Sequence, residues 1–213
     1  MMQHEQEVVH HAIEHEDGYL LDTLGAPFKV ILRDGVTKST DQTTGEEIIT
    51  VPDIVGLIGA VVRSRVSHTR KLSGAEIKFI RHALGVQAKV IAEFLGVSPE
   101  HLSRCENGTK AMSLANEKLF RCAVNLATRF EEPGDVFTYP SDEQHAAIAD
   151  DLKDEANKEL VGFLKSFFSM KINPVYVADD EPLTFEFTRK PLLSQARSTE
   201  SGDDKWRPDR DAA

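Results

Sequence analysis

The sequence predicts an α+β protein that is mainly α-helical, with a small β-rich module, a central helical domain and an α/β extension. Three observations favour this fold class. Apolar and polar residues alternate along FKVILR, as in a half-buried strand, and apolar residues recur at helical spacing through residues 73–130. A composition of 40% hydrophobic and 28% charged residues is typical of globular proteins.

The N-terminal part is predicted to hold a tail and a module. Residues 1–17 are acidic and rich in histidine, so we expect a flexible acidic tail. Residues 18–70 are predicted to form a β-rich module plus one helix. After the strand FKVILR, Asp34-Gly35 is typical of a hairpin turn. The loop STDQTTGEE then leads to a short strand, IITV, and Pro52-Asp53 begins the helix IVGLIGAVVRSRV.

The next domain is predicted over residues 71–130. Residues 73–130 are predicted to be helical throughout, and local signals divide them into several helices. Ser73 is placed to cap the first helix and Gly85 to end it. A second helix is expected over 87–95, ending at Gly96. In GVSPEHLSRCENG, Ser98 caps a third helix, Pro99 takes its first position and Asn107-Gly108 end it. A further helix begins at Ser113.

The C-terminal part changes character after a linker-like break, EEPGD. Residues 131–193 are predicted to form a long amphipathic helix over SDEQHAAIADDLKDEANKELVGFLKSFF and two strands near 175–177 and 183–187. The apolar face of VGFLKSFFSM is interpreted as core, as a dimer interface or as a docking site for another protein. Residues 194–213 lack aliphatic side chains over most of their length and are expected to be disordered.

Charge is unevenly distributed along the chain. The formal net charge is −10, from 25 basic and 35 acidic residues. The segment 70–130 holds ten Lys and Arg residues against five Asp and Glu, whereas the remainder holds 15 against 30. A local basic excess matters more for binding phosphate than the total charge does, so this segment is a candidate for nucleic-acid binding.

The spacing within residues 88–107 predicts a helix-turn-helix. Ala92 supplies the small residue where two helices cross, Gly96 tolerates the left-handed turn four positions later, and Leu102 supplies a buried aliphatic residue ten positions after Ala92. The remaining inward positions are predicted to be Ile91, Leu95, Val97 and Cys105.

The residues left outside this packing are the predicted DNA-binding set. In a helix-turn-helix, the second helix meets base edges in the major groove, and free amides at helix N-termini suit phosphate. Arg104 is assigned to guanine or phosphate and Glu100 to a cytosine amino group. An Arg104 that only meets solvent or a salt bridge, and a Glu100 that only complements the helix dipole, stay open as alternatives. The predicted set is Gln87, Lys89, Ser98, Pro99, Glu100, His101, Ser103, Arg104, Asn107 and Lys110.

The stretch SGAEIKFIRHALGVQAKVIAEFLGVSPEHLSRCENG resembles the Xre (lambda-repressor-like) family of helix-turn-helix proteins. With the upstream VPDIVGLIGAVVRSRV, it also resembles antitoxins and regulators of the MqsA type. This resemblance implies a five-helix DNA-binding domain. The chain departs from the family in three ways: it lacks the two Cys-x-x-Cys pairs of zinc-bearing members, Ala88 replaces the usual Gln, and Cys105 replaces the usual aromatic residue. We therefore expect no zinc.

Other chemistry finds no support in the sequence. Cys105 and Cys122 are expected to be reduced core thiols, and the histidines at 4, 10, 11 and 15 to be solvated rather than metal-bound. There is no Gly-rich phosphate loop, His-Glu-x-x-His or Gly-x-Ser-x-Gly motif. We expect no enzymatic activity and no cofactor. No apolar run approaches the roughly 18 residues of a membrane helix, and no signal pattern precedes residue 18, so the expected location is cytoplasmic.

The sequence therefore predicts a transcriptional regulator that binds operator DNA as a homodimer and acts as a repressor. An antitoxin that neutralises a cognate toxin is a more specific version of this hypothesis. The alternative is a protein–protein adaptor whose helix-turn-helix domain no longer binds DNA, motivated by Ala88, Cys105 and the acidic remainder of the chain.

Overall fold

The computed structural model describes residues 11–12, 18–41, 43–128, 153–173, 182–189 and 206–208, with backbone alone at 11–12 and 153–160. These residues form six helices and two small sheets, which confirms the α+β class. The strands are β1 His11–Ala12, β2 Tyr19–Leu20, β3 Lys29–Leu32, β4 Thr37–Thr40, β5 Glu47–Thr50, β6 Thr184–Arg189 and β7 Trp206–Pro208. The helices are α1 Ile54–Ser67, α2 Gly74–Ala83, α3 Ala88–Phe94, α4 Pro99–Glu106, α5 Leu114–Ala127 and α6 Lys153–Ser169.

The chain divides into two compact units, and this division differs from the predicted one. Unit 1 comprises Met1–Val61 with Pro182–Ala213, and unit 2 comprises Val62–Glu181. The extension predicted over 131–193 is thereby split, because α6 belongs to unit 2 and β6 to unit 1. None of the helices in the described ranges is both long and apolar enough to cross a membrane.

Unit 1 contains both sheets. Their strand orders are β1-β4-β5 and β2-β3-β6-β7. β3 and β6 run parallel, with Leu32 beside Phe187, and every other pair is antiparallel. Val30, Leu32, Phe187 and Trp206 are at most 3% exposed and form the core of the four-stranded sheet. The alternation predicted for FKVILR is thus confirmed.

Two predictions about unit 1 are corrected. The Asp34-Gly35 hairpin is wrong: the chain does turn at Gly35, where φ is +75°, but β3 and β4 join different sheets. The observed hairpin instead joins β4 and β5, and β4 includes the start of the predicted loop STDQTTGEE. The disorder predicted over 194–213 is wrong at Trp206–Pro208, because the buried Trp206 fixes a strand there and donates from Nε1 to Pro52 O at 3.2 Å.

Three further predictions lie partly or wholly outside the described residues. The strand predicted near 175–177 lies outside them, as does most of the tail over 1–17, in which β1 is described. The predicted amphipathic helix is observed over α6, and its earlier residues are likewise not described.

The helix boundaries of unit 2 confirm the predicted signals. Ser73 and Glu76 form a reciprocal capping box, in which each side chain accepts from the other's backbone N–H. Gly85 ends α2 with a φ of +67°. Ser98 and Ser113 cap α4 and α5 through their hydroxyls, with bonds from the amides three residues later.

Arg65, fully buried at the end of α1, ties that helix to the start of α2. Its Nε and Nη2 donate to the Glu76 carboxylate at 2.5 and 2.8 Å. Its Nη1 and Nη2 also donate to the carbonyls of Arg70 and Lys71, at 3.1 and 2.9 Å. The guanidinium therefore provides hydrogen-bond partners for a buried carboxylate and for two backbone carbonyls of the irregular segment that follows α1.

Arg121, on α5, holds the same segment from the other side. Its guanidinium donates to the carbonyls of Val66, His68 and Arg70 and to Glu117, one helical turn earlier. The Glu117 carboxylate, itself fully buried, also accepts from Leu72 N at 2.8 Å and from Lys71 Nζ at 3.0 Å. These bonds leave the connection from α1 to α2 fixed by charged side chains rather than by regular backbone pairing.

α6 is attached to unit 2 at its C-terminal end. Asn173 forms an isolated parallel bridge with Arg70, with Asn173 N donating to Thr69 O at 2.8 Å. Lys118 Nζ lies 5.8 Å from the centroid of the half-buried Phe167 ring. Three other apolar residues of α6 are exposed, so the interpretation as core is wrong for them: Val161 at 47%, Leu164 at 41% and Phe168 at 76%.

His68 makes the stability of unit 2 sensitive to mild acid. Burial, and then the positive charges of Arg65, Arg121 and Arg70, lower the pKa of His68 below its ordinary 6.5, against the opposing effect of Glu76. The neutral ring accepts a hydrogen bond from Arg70 N at its Nδ1. Between the folded and unfolded pKa values the unfolded chain binds more protons, so stability falls as pH drops below 6.5.

We expect His68→Asn, which keeps an acceptor near the position of Nδ1, to flatten this part of the pH dependence. Free energies of unfolding from urea titrations at pH 7.5, 6.0 and 5.0 measure the slope. His82→Asn, at an exposed position on α2, is the matched control and should retain the wild-type slope. Equal slopes in all three proteins would contradict the assignment.

Candidate nucleic-acid interface

The α3–turn–α4 segment has the packing that its spacing predicts. Residues 95–98 join the helices, and Gly96 adopts a left-handed φ of +63°. Ala92 is 1% exposed and Leu102 is 0% exposed. Ile91, Leu95 and Cys105 are also buried as predicted, whereas Val97 is half-buried.

α4 has two distinct faces. Leu102, Cys105 and Glu106 form its buried face. We call the opposite face the α4 outward stripe, because its members are exposed and recur at the three- and four-residue spacing of one helix face. The stripe consists of Pro99, Glu100, Ser103, Arg104 and Asn107, the last being the C-cap residue.

The structure leaves nine of the ten predicted site residues exposed, and His101 is half-buried. Gln87 and Lys89 lie at the start of α3, where Gln87 is the N-cap residue but makes no side-chain capping bond. Lys110 is held beside the C-terminal half of α4, because its backbone N donates to Arg104 O at 3.1 Å. Ser98 acts as the cap of α4, accepting from His101 N at 3.2 Å.

The α4 outward stripe carries a carboxylate and a guanidinium one turn apart. The pKa of the exposed Glu100 is lowered by a hydrogen bond with its own backbone amide, then by Ser98 and by the charge of Arg104. Glu100 is therefore ionised at neutral pH. Arg104 is exposed, and its guanidinium takes part in no hydrogen bond or ion pair with the residues that the structure describes. Asn107 Nδ2 lies 3.4 Å from Ser103 Oγ.

The surface is less basic than the sequence count suggests. Three basic residues of the segment 70–130 are engaged in ion pairs within unit 2: Lys71 and Arg121 with Glu117, and Arg81 with Glu106. In the described part of this segment the exposed basic residues are Lys78, Lys89, Arg104 and Lys110, against the exposed acids Glu93 and Glu100. The excess of positive charge at the surface is therefore smaller than the sequence predicts.

The Arg81–Glu106 pair positions α4, and the sequence analysis did not find it. Arg81 Nε and Nη2 donate to the Glu106 carboxylate at 2.6 and 3.0 Å, linking α2 to the end of α4. Arg81 Nη1 also donates to Val86 O, in the turn before α3, at 3.2 Å. One guanidinium thus joins the three helices. An acid on the apolar side of α4 was the available signal for a buried partner.

Gly74, the first residue of α2, brings that helix into contact with the end of α4. A Cβ at this position would lie 2.2 Å from Cys105 O, 2.6 Å from Glu106 O and 2.8 Å from Gly108 N. All three atoms are backbone, so no side chain can move aside. The amino end of α2 therefore meets the carbonyl end of α4, an arrangement favoured by the two helix dipoles.

No protein-family model, no curated protein and no solved structure matches this chain. Nor do the described residues contain a group of three or more His, Cys, Asp or Glu side chains that could hold a metal ion. Cys105 and Cys122 are free and buried, and burial raises the pKa of both thiols.

We expect Glu106→Gln to lower the free energy of unfolding by about 3 kcal/mol, because it leaves the Arg81 guanidinium buried without its counter-charge. The side chains of the pair are 11% and 7% exposed, so solvent screens them little. Denaturant titration measures the change. Glu93→Gln, an exposed acid on α3, is the control and should stay within about 0.5 kcal/mol of the wild type. A loss no larger than that of the control would show that the pair contributes nothing.

We expect Gly74→Ala to lower the free energy of unfolding by about 2 kcal/mol, because the new methyl group meets backbone atoms of α4. Gly162→Ala in α6 provides the control, since nothing lies within 4 Å of its Cβ position. There the better helix propensity of alanine should leave stability unchanged or slightly raised. Wild-type stability in Gly74→Ala would refute the close approach of the two helices.

Proposed function

We propose that this protein is a sequence-specific DNA-binding regulator of transcription, with α4 as its recognition helix. The observation that carries the proposal is the α4 outward stripe, an exposed polar face on a helix whose opposite face is buried. A recognition helix needs this combination, because its buried face sets its position and its outer face meets the groove. The left-handed turn at Gly96 supports the same assignment.

The fold we propose for the DNA-binding domain is the five-helix, lambda-repressor-like arrangement of the Xre family. The predicted range 71–130 contains only four helices, α2 to α5, so the proposal takes its first helix from α1, which was predicted as part of the preceding module and is divided between the two units after Val61. The support for this fold is the order of five helices and the match of Ala92, Gly96 and Leu102 to the packing that a helix-turn-helix requires. The resemblance to MqsA-type regulators also belongs to this proposal, without zinc.

Each residue of the predicted set has a role in this proposal. Arg104 donates to guanine or to phosphate, and Glu100, His101 and Ser103 face base edges. The other members position the protein on the phosphate backbone and carry no sequence information by themselves: Gln87, Lys89, Ser98, Pro99, Asn107 and Lys110.

We further propose that the protein binds as a homodimer in the cytoplasm and represses by occluding a promoter. Two copies of α4 would enter successive major grooves, about 10 base pairs apart. An antitoxin function is a narrower form of the proposal. It requires a toxin partner that binds this chain, for which the exposed apolar residues of α6 offer a surface.

The test is a mobility-shift titration with duplex DNA from upstream of the protein's own gene, against scrambled duplex, at two salt concentrations. We expect preferential binding that weakens with salt, because basic side chains release counterions. Arg104→Ala should weaken specific binding about 10-fold or more, the cost of one good base contact. Lys89→Ala should weaken binding to both duplexes alike and reduce the salt slope by about one.

Lys78→Ala is the matched control, since it removes the same charge from an exposed position on α2 outside the predicted set. It should change the affinity for specific DNA less than about twofold. If Arg104→Ala and Lys78→Ala have equal effects, α4 is not the recognition helix. Absence of binding to either duplex would favour the adaptor alternative, which capture of a protein partner by the wild-type chain would then test.

A further inference from the structure

Glu100 is an unexpected residue on the α4 outward stripe, because in the proposed function this stripe faces DNA, a polyanion. It lies in the first turn of α4, is exposed, and is ionised for the reasons given above. Near DNA this carboxylate is repelled by phosphate on every sequence. The Glu100 carboxylate therefore lowers the affinity for DNA in general. The loss is recovered only where a base donates a hydrogen bond to this carboxylate.

The base that suits an ionised carboxylate follows from the edges shown in the major groove. Cytosine presents its N4 amino donor with no acceptor beside it on the same base. Adenine presents an N6 donor next to the N7 acceptor, and guanine presents two acceptors. A carboxylate, which only accepts hydrogen bonds, is thus best matched by cytosine and most strongly rejected by guanine.

Arg104 fixes where that cytosine lies. Glu100 and Arg104 are four residues apart on one face, so they project about 6 Å from one another along the helix axis. Base pairs are spaced by about 3.4 Å, so the two side chains reach the same pair or pairs up to two steps apart. The guanidinium of the exposed Arg104 matches guanine O6 and N7.

From this pair we infer that Glu100 is the specificity-determining residue of the interface, which selects a cytosine within two steps of the guanine bound by Arg104. This inference rests on the proposed function. Glu100 lowers binding to all other sequences and recovers the loss at one cytosine. The Glu100–Arg104 pair on α4 thereby defines a C/G-containing core in each half-site.

The experiment is in vitro selection from a random duplex library, using the full chain in four forms: wild type, Glu100→Gln, Arg104→Lys and the control Glu93→Gln. All three changes are at exposed positions, and circular dichroism checks that each variant folds. Affinities for the selected sequence and for scrambled duplex are then measured for each protein.

We expect the wild type to select a motif with cytosine and guanine at most two steps apart. Glu100→Gln should lose about 10-fold of the preference at the cytosine and bind scrambled DNA more tightly than the wild type does. Arg104→Lys should weaken the preference at the guanine alone, since an ammonium group lacks the planar fork with which a guanidinium donates two parallel hydrogen bonds. Glu93→Gln should select the wild-type motif.

The outcomes distinguish failure of this inference from failure of the proposed function. A wild type that selects no sequence overturns the proposed function and the inference with it. A wild-type motif that Glu100→Gln selects unchanged overturns the inference and leaves the proposed function standing. Loss of preference at a base other than cytosine also overturns the assignment.

Discussion

Two buried guanidiniums, those of Arg65 and Arg121, fix the end of α1 and the start of α2, the helix against which α4 packs. Arg65 and Arg121 donate to three carbonyls of the segment between α1 and α2, which has little regular pairing of its own, and Arg121 donates to a fourth in the last turn of α1. Buried backbone carbonyls without partners are costly, and so are buried charges. Here the guanidiniums supply hydrogen bonds to the carbonyls, and the carboxylates of Glu76 and Glu117 neutralise the charge of the guanidiniums. The start of α2, and through it α4, is fixed as a result.

The same charged residues explain why a sequence count misjudged the surface. Basic residues in a helical DNA-binding segment are naturally assigned to phosphate, yet Arg81 and Arg121 are used inside unit 2. What remains outside is a small set of exposed charges of both signs, including Glu100 and Arg104 on one face of α4. A surface of this kind gains little from general attraction to DNA. Its selectivity would come from matched donors and acceptors at base edges.

Features set by neighbouring residues could be predicted from the sequence, and features set by distant ones could not. The ends of α2, α4 and α5 follow from serine caps and glycine stops, signals that act within one helical turn. The predicted hairpin at Asp34-Gly35 failed because the turn itself is local, but both edges of β3 are paired with other strands: β2 on one edge and, on the other, β6, which lies far along the chain. The Arg81–Glu106 pair was missed for the same reason: the acid on the apolar side of α4 indicates a buried partner, but no local pattern shows that this partner is Arg81, on a different helix.

The four-stranded sheet of unit 1 has a consequence for how this protein is made. Arg33 and Glu186, joined in an ion pair next to the β3–β6 ladder, are 153 positions apart, and β7 follows later still. A ribosome must therefore synthesise the chain as far as β6, which begins at Thr184, before β3 meets its parallel neighbour. The helices α2 to α5 need only residues close in sequence and can assemble first during synthesis. Until then, the backbone groups on that edge of β3 lack their hydrogen-bond partners, and an unpaired strand edge is prone to pair with other chains.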